Sequence, residues 1–358
     1  MSSMLFRSAA CFAVMFFVSA ACAKKPPADN EQVRRVEATA DKLAKTYDAE
    51  TGLFRGTGWW NSANGISALA RVSGVLHTRE FDSIFANTFL AAQKKHPGFL
   101  NEFYDDEGWW ALAWLDVYEL RGGARYRAMA ETIFADMSSG WSDSCGGGIW
   151  WKKNEHYKNA IANELFLSVA VRLAENTRGS DRAKYMDWAK RETSWFVQSG
   201  MINAQGLIND GLDDACRNNE KTEWTYNQGV ILTGLAGVAR LNGDRAARVL
   251  GERIAHAVAL HLVDADGILH DPCEPNCGED GGQFKGILVR NLVTIERASR
   301  SADIGLLLKR NAESVWTKAK TDDGWFAVNW AGPPGDGGTG SLISALDALT
   351  VPLLASDR

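Results

Sequence analysis

The sequence predicts an all-α protein, an (α/α)6 barrel of six helical hairpins, and three observations carry that prediction. Twelve runs with helical periodicity fill the chain after residue 30. The links between them alternate: short and polar after the even-numbered runs, longer and richer in aromatic residues and glycine before them. The even-numbered runs are apolar round most of their circumference, as helices contacted on both sides must be. Hairpins set in a ring put all the long links on one face. The alternation therefore implies six inner helices, six outer helices and one functional mouth. An open helical solenoid is the alternative, but it gives no reason for so consistent an asymmetry.

In chain order, the first hairpin joins runs at 31–47 and 61–75 through GLFRGTGWWNSANG, and GISALARVSGV gives the second run its small-residue surface. His77-Thr78 makes a short link to 79–95, after which GFLNEFYDDEGWW leads into 106–121, WWALAWLDVYEL. Arg121-Gly122-Gly123 closes that run, as glycines just past a helix commonly do. The third pair, 124–138 and 157–176, is joined by CGGGIWWKKNEHYKNAIANE, and the fourth, 181–199 and 224–241, by GLINDGLDDACRNNEKTEWTYNQG. Asn242-Gly243 precedes 244–263, and CEPNCGEDGGQFKG precedes 282–299. The sixth pair is 302–319 and 340–354, with WFAVNWAGPPGDGGTG between them. Trp-Trp pairs at 59–60, 109–110 and 150–151 hint at an internal repeat.

Residues 1–21 read as a signal peptide: Arg7, an apolar run from Ala9 to Val18 too short for an ordinary transmembrane helix, then small residues. Val18-Ser-Ala-Ala-Cys22 resembles a bacterial lipoprotein signal, with Cys22 as the lipidated first mature residue and 22–30 as a polar tether. Ser19 stands where that pattern prefers Leu, so cleavage near Ala21 or Ala23 with plain secretion is the alternative. Either route exports the protein, to a membrane surface or to the medium. Residues 31–355 are then one domain.

The chain of 358 residues is 46% apolar and 23% charged with net charge −5, and it has no Lys/Arg block, which argues against a nucleic-acid partner. Its 14 Trp exceed what a core alone requires. The mouth collects Asn61, Asn64, Asn101, Asn163, Asn209, Asp210, Asn218, Asn219, Asn227 and Gln228 among Trp and Tyr. Sugars ask for this mixture, because neutral hydroxyls pair with amides and carboxylates while C–H faces lie on aromatic rings. No dinucleotide fingerprint or Walker lysine is present, and no cofactor or metal is expected. Trp60, Asn64, Trp109 and Trp224 are expected substrate contacts.

Asp105 and Asp106 stand side by side before Trp109 and Trp110. One capping Asp at a helix start is commonplace, but capping explains one carboxylate and says nothing of the indoles. Two carboxyls at a sugar-binding mouth are the minimum equipment for glycoside hydrolysis, and their mutual repulsion helps keep one protonated. A retaining enzyme needs a gap of about 5–5.5 Å, which neighbouring residues can meet.

YDDEGWWALAWLDVY, CGGGIWW, YKNAIANELF, LINDGL, WTYNQGVILTGLA, QFKGILVRNL and SALDAL, in order between residues 59 and 349, resemble glycoside hydrolase family 76, the endo-α-1,6-mannanases. The resemblance implies an (α/α)6 barrel and a retaining mechanism acting on internal α-1,6-mannosidic linkages. It makes Asp105 the nucleophile, Asp106 the general acid/base, and Asp210, Tyr226 and Gln228 substrate contacts. The alternatives are a mannoside transglycosylase of the same family and a non-catalytic surface glycan-binding protein. The second gives no reason for two adjacent carboxylates. The substrate is expected to be α-mannan or a mannooligosaccharide, and the protein a monomer.

Export permits disulfides. Cys273 and Cys277 of CEPNC are expected to pair, as are Cys145 and Cys216 across two mouth loops. A zinc site at CEPNC is the lesser alternative, since no His or second Cys pair lies nearby at ligand spacing.

Overall fold

The computed structural model describes residues 30–335 and 337–356. The signal peptide, Cys22 and nearly all of the tether lie outside the described residues. The first six helices are α1 (Asn30–Thr46), α2 (Trp59–Leu76), α3 (Asp82–Ala91), α4 (Tyr104–Arg121), α5 (Ala124–Ser139) and α6 (Ala160–Asn176). The second six are α7 (Gly179–Gln198), α8 (Thr225–Asn242), α9 (Arg245–His261), α10 (Phe284–Ser299), α11 (Ala302–Ser314) and α12 (Thr339–Ser356). One helical turn, Gly278–Gly281, precedes α10.

The even helices touch in the order α2, α4, α6, α8, α10, α12, and α12 returns to α2, which closes the inner ring. Each odd helix packs outside. Burial divides the two sets. In α6 every residue from Ala160 to Val171 is buried, whereas α5 buries only Tyr126, Ala130, Ile133, Phe134 and Met137, a single stripe. Small residues let inner helices approach closely: a Cβ on Gly286 would sit 2.4 Å from Ser344 Cα, and one on Gly229 would sit 2.7 Å from Leu288 Cα.

Local chemistry fixes the ends. Asn159 accepts from Ala162 N at 3.2 Å, and Asp244 from Ala246 and Ala247 N at 2.9 and 3.0 Å, which satisfies free N–H groups at the starts of α6 and α9. Two runs are shorter than their periodicity predicts. The run at 79–95 stops at Ala91 and tightens into 3-10 turns at Ala92–Lys94 and Pro97–Phe99, because Pro97 cannot extend a helix and Gly98 takes φ 69°. The run at 302–319 leaves α-geometry at Ser314 and continues as a π-turn, Val315–Ala319.

Small antiparallel pairings recur where outer helices α1, α5, α7, α9 and α11 give way to the mouth. Strand β1 (Tyr47–Asp48) pairs with β2 (Leu53–Phe54), and single bridges join Trp141 to Ile149, Ile202 to Ile208, Val263 to Leu269 and Lys320 to Phe326. Each turn carries a positive-φ glycine just before the second partner, such as Gly206 at 84° and Gly324 at 85°. This hairpin is the repeating unit. The Trp pairs are not: 59–60 open α2, 109–110 lie in the second turn of α4, and 150–151 lie in the loop before α6.

Candidate active site

Helix α4 begins at Tyr104, so Asp105, Asp106 and Glu107 occupy its first turn rather than the residues before it. The N-cap, Phe103, offers no side-chain bond. Asp105 Oδ2 accepts from the Trp151 indole at 3.0 Å, and its Oδ1 is buried without a partner. Asp106 Oδ2 accepts from Asn101 Nδ2 at 2.6 Å. Asn101 is itself fixed: its Oδ1 accepts from Phe103 N at 2.8 Å, and its own N–H donates to Glu107 Oε1 at 3.1 Å. Glu107 is fully buried and paired with Lys153 at 2.7 Å.

Burial, and then the charge of Asp106, push the Asp105 carboxyl up to about 8 against the Trp151 bond. Burial pushes Asp106 up to about 6, opposed by Asn101 and Lys95 and reinforced by the Asp280 carboxylate. Both shifts point upward for the same reasons, removal from water and a like charge alongside. Both carboxyls therefore resist ionisation, Asp105 the more strongly.

Around the pair runs an aromatic wall. Trp60 stacks on Trp109 with centroids 5.5 Å apart, Trp109 on Tyr226 at 6.4 Å, and Tyr226 on Phe284 at 4.0 Å. Trp224 meets Phe284 edge-on and donates to Asp210 Oδ1 at 3.2 Å. Asp210 Oδ2 also accepts from Tyr157 OH. Burial and the carboxylates Asp105, Asp210, Glu164 and Asp280 hold the Tyr226 phenol well above its usual range. Beneath Trp109 lies a cavity of about 340 Å³ in the barrel lumen, lined in part by Arg71, Asp116, Arg172 and Arg290. Trp109 is therefore both floor of the mouth and roof of the lumen.

The structure thus gathers Asp105, Asp106, Trp60, Trp109, Asp210, Trp224 and Tyr226 at one end of the barrel. Trp110 is elsewhere, in the core against Trp59, Phe99 and Trp114. Two expected sugar contacts, Gln228 and Asn64, and the mouth amide Asn163 have other partners. Gln228 is fully buried, its Oε1 accepting from Ile208 N at 2.8 Å and its Nε2 donating to Ile208 O at 2.9 Å. Asn163 treats Ile149 in the same way, at 2.7 and 3.1 Å. Such an amide mimics a strand and pins a mouth hairpin to the next inner helix. Asn64 is 1% exposed and accepts from Arg290 Nη2, facing the lumen network. Residues missed from sequence include Trp151, Tyr157, Asp280 and Phe284. The doubled Trp of CGGGIWW marked one of them, without saying which indole faces the acids.

Both expected disulfides are present, Cys145–Cys216 and Cys273–Cys277, as an oxidising compartment would allow. The second bond takes up the thiols that a zinc ion beside Asp271 would use.

Known proteins resemble this chain in sequence and in fold. Among curated proteins, the chain is 26% identical over 344 residues to mannan endo-1,6-alpha-mannosidase DFG5 of Saccharomyces cerevisiae, covering 87% of this chain and 74% of that one. It is 28% identical over 270 residues to DCW1 of the same yeast, covering 68% of this chain but only 59% of the relative. Among solved structures, the α-1,6-mannanase GH76A of Salegentibacter sp. HEL1_6, an inactive double-Asp variant bound to α-1,6-mannotriose, superposes with TM-score 0.81 at 21% identity, over 90% of this chain and 99% of that one. Dfg5 of Chaetomium thermophilum gives TM-score 0.81 at 18% identity, covering 91% of each chain. These last two establish the likeness of fold. The sequence model for glycosyl hydrolase family 76 matches residues 33–357, essentially the whole barrel, and the chain belongs to that family.

Proposed function

We propose that this protein is a retaining endo-α-1,6-mannanase in which Asp105 is the nucleophile and Asp106 the general acid/base. The observation that carries the reading is the carboxyl pair itself: consecutive in one helical turn, held by different donors, and buried beside an aromatic wall. In the first step ionised Asp105 attacks the anomeric carbon while Asp106 gives its proton to the departing glycosidic oxygen. In the second, Asp106 takes a proton from water, which attacks the glycosyl–Asp105 ester and frees the carboxylate.

In the free protein burial leaves the proton preferentially on Asp105, which is the wrong place for attack. A bound mannoside supplies the correction. Its glycosidic oxygen accepts from Asp106, and the positive character growing at the anomeric carbon favours an anionic Asp105. Further support comes from the relatives, whose names assign them to mannan endo-1,6-α-mannosidase, and from the mannanase made inactive by replacing two consecutive aspartates. The exposed edge of Trp60 and the carboxylate of Asp210 then serve sugar faces and hydroxyls.

Linear α-1,6-mannooligosaccharides test the reading. The wild type should release shorter oligosaccharides from internal positions. Asp105→Asn should lower turnover by about 10⁴-fold or more on every substrate. Asp106→Asn should retain reaction with a substrate bearing a very good leaving group, and azide should raise it, because azide needs no base. Identical behaviour of both variants with that substrate and azide would overturn the roles. Near-normal activity of both on mannan would overturn the reading itself.

A further inference from the structure

Asp280 takes no part in the proton transfers above, yet it lies among the groups that do. It sits on the single turn Gly278–Gly281, exposed, in the link CEPNCGEDGGQFKG. Its Oδ1 accepts from the Trp60 indole at 2.9 Å and from Asn61 Nδ2 at 3.3 Å. Trp60 stacks on Trp109 on one side and near Phe284 on another, so this oxygen fixes the plane of the indole that the mouth leaves half-buried. Asp280 Oδ2 accepts no hydrogen bond from the described residues.

The turn carrying Asp280 is braced from below. The Cys273–Cys277 bridge packs straight against it: a Cβ on Gly281 would lie 2.7 Å from Cys277 Cβ and 2.9 Å from Cys273 Sγ. At the other end of the loop, buried Asp271 accepts from Thr225 N at 3.0 Å and Thr225 Oγ1 at 2.6 Å, tying the loop to the start of α8. A four-residue disulfide closes too small a loop to add much global stability by chain entropy. Local rigidity is the better account of it.

We propose that Asp280, braced by the Cys273–Cys277 bridge, is a positioning residue for the glycosidic cleavage: it holds Trp60 ready for a mannosyl face and sets a fixed negative charge near Asp106. The inference rests on the reading of the site as a retaining mannanase. Its electrostatic part has a definite sign. Asp280 resists ionisation of Asp106, Lys95 and the Asn101 hydrogen bond favour it, and Asp105 stands beside it. Asp106 must be protonated and Asp105 ionised, but in the free protein Asp106 titrates below Asp105, so the acid limb of kcat/KM follows Asp106 and the alkaline limb follows Asp105. Removing the Asp280 charge makes Asp106 easier to ionise and moves the acid limb to lower pH.

Asp280→Asn keeps an oxygen for Trp60 and Asn61 but loses the charge, and Asp280→Ala loses both. Steady-state kinetics on mannotetraose across pH, with circular dichroism and melting curves to check folding, should separate the effects. For Asp280→Asn the acid limb of kcat/KM should move down by about half a pH unit or more, with KM nearly unchanged. For Asp280→Ala the same displacement should come with a KM rise of about three- to tenfold. Cys273→Ser combined with Cys277→Ser should raise KM in the same direction without moving the limb. An Asp280→Asn profile that overlies the wild type overturns the inference and leaves the mannanase reading standing. A wild type that does not cleave mannotetraose overturns both.

Discussion

Trp151 reaches Asp105 from a loop and Asn101 reaches Asp106 from another, so each carboxylate has its own donor. The two can therefore be perturbed separately. Asp105 must be ionised to attack, and a donated hydrogen bond favours the ionised form. Trp151→Phe should accordingly raise the Asp105 titration, which lies above that of Asp106, and so move the alkaline limb of kcat/KM to higher pH, by about one unit, and lower its plateau, while leaving the acid limb in place. An unmoved alkaline limb would mean that the indole is only packing. Asp280→Asn, by contrast, acts on the opposite limb. At this scale the sequence showed the acids plainly, because two adjacent carboxylates before paired indoles have few other uses. It did not show Asp280, since an Asp in GEDGG reads as a solvated loop residue. Asn163 and Gln228 misled in the other direction. An amide that satisfies a buried backbone N–H and C=O has the same composition as one that meets a sugar, and only the fold tells them apart.

Among the elements, α6 and α7 carry a feature the site does not require. Glu164 and Glu192 are fully buried, and their carboxyl oxygens have no hydrogen-bond partner. Burial raises both well above the usual range; for Glu164 the charges of Glu192 and Asp210 add to the rise, while Lys158 opposes it at Glu192. A carboxyl raised in the folded state keeps its proton where the unfolded chain has lost it. Its contribution to stability is thus complete below the ordinary Glu range and is lost as pH climbs towards the folded value. Glu164→Gln cannot lose a proton, so its melting temperature should exceed that of the wild type by about 2–4 °C at pH 8 and match it near pH 4. Equal slopes of melting temperature against pH would show that the carboxyl finds a partner in solution. Helix positions were legible to within a few residues because a 17- or 18-residue periodic run leaves little choice. The hairpin repeat was not, because one bridge and one glycine are too short to give a period-2 signal.

For the molecule as a whole, the alternation of link lengths sufficed to foresee the ring, since only closure explains one rich face. Cys145–Cys216 adds a covalent tie between mouth loops 71 residues apart, and the lumen ion pairs Arg71–Asp347 and Arg290–Asp347 tie α2 and α10 to α12. The ring closes through α12, the last helix of the described residues, which packs on both α2 and α10 and buries Leu342, Ile343, Ala345, Leu346 and Leu349. This sets a timetable. While the chain emerges from its N-terminus, α2 can make every contact except those on its α12 side, and Arg71 waits for Asp347, 276 residues later. Until then Arg71 has only Asp116, Arg290 lacks the Asp347 carboxylate, and the lumen is an open seam, so an intermediate of eleven helices is not expected to be cooperative. A chain ending at Gly338 should bind a hydrophobic dye strongly and melt without a sharp transition, whereas the full-length chain gives one. If the shortened chain melts sharply, the barrel is a stack of separable hairpins. If it does not, synthesis delivers nothing foldable until its final helix arrives, and a holdase that shelters the seam becomes part of making this protein.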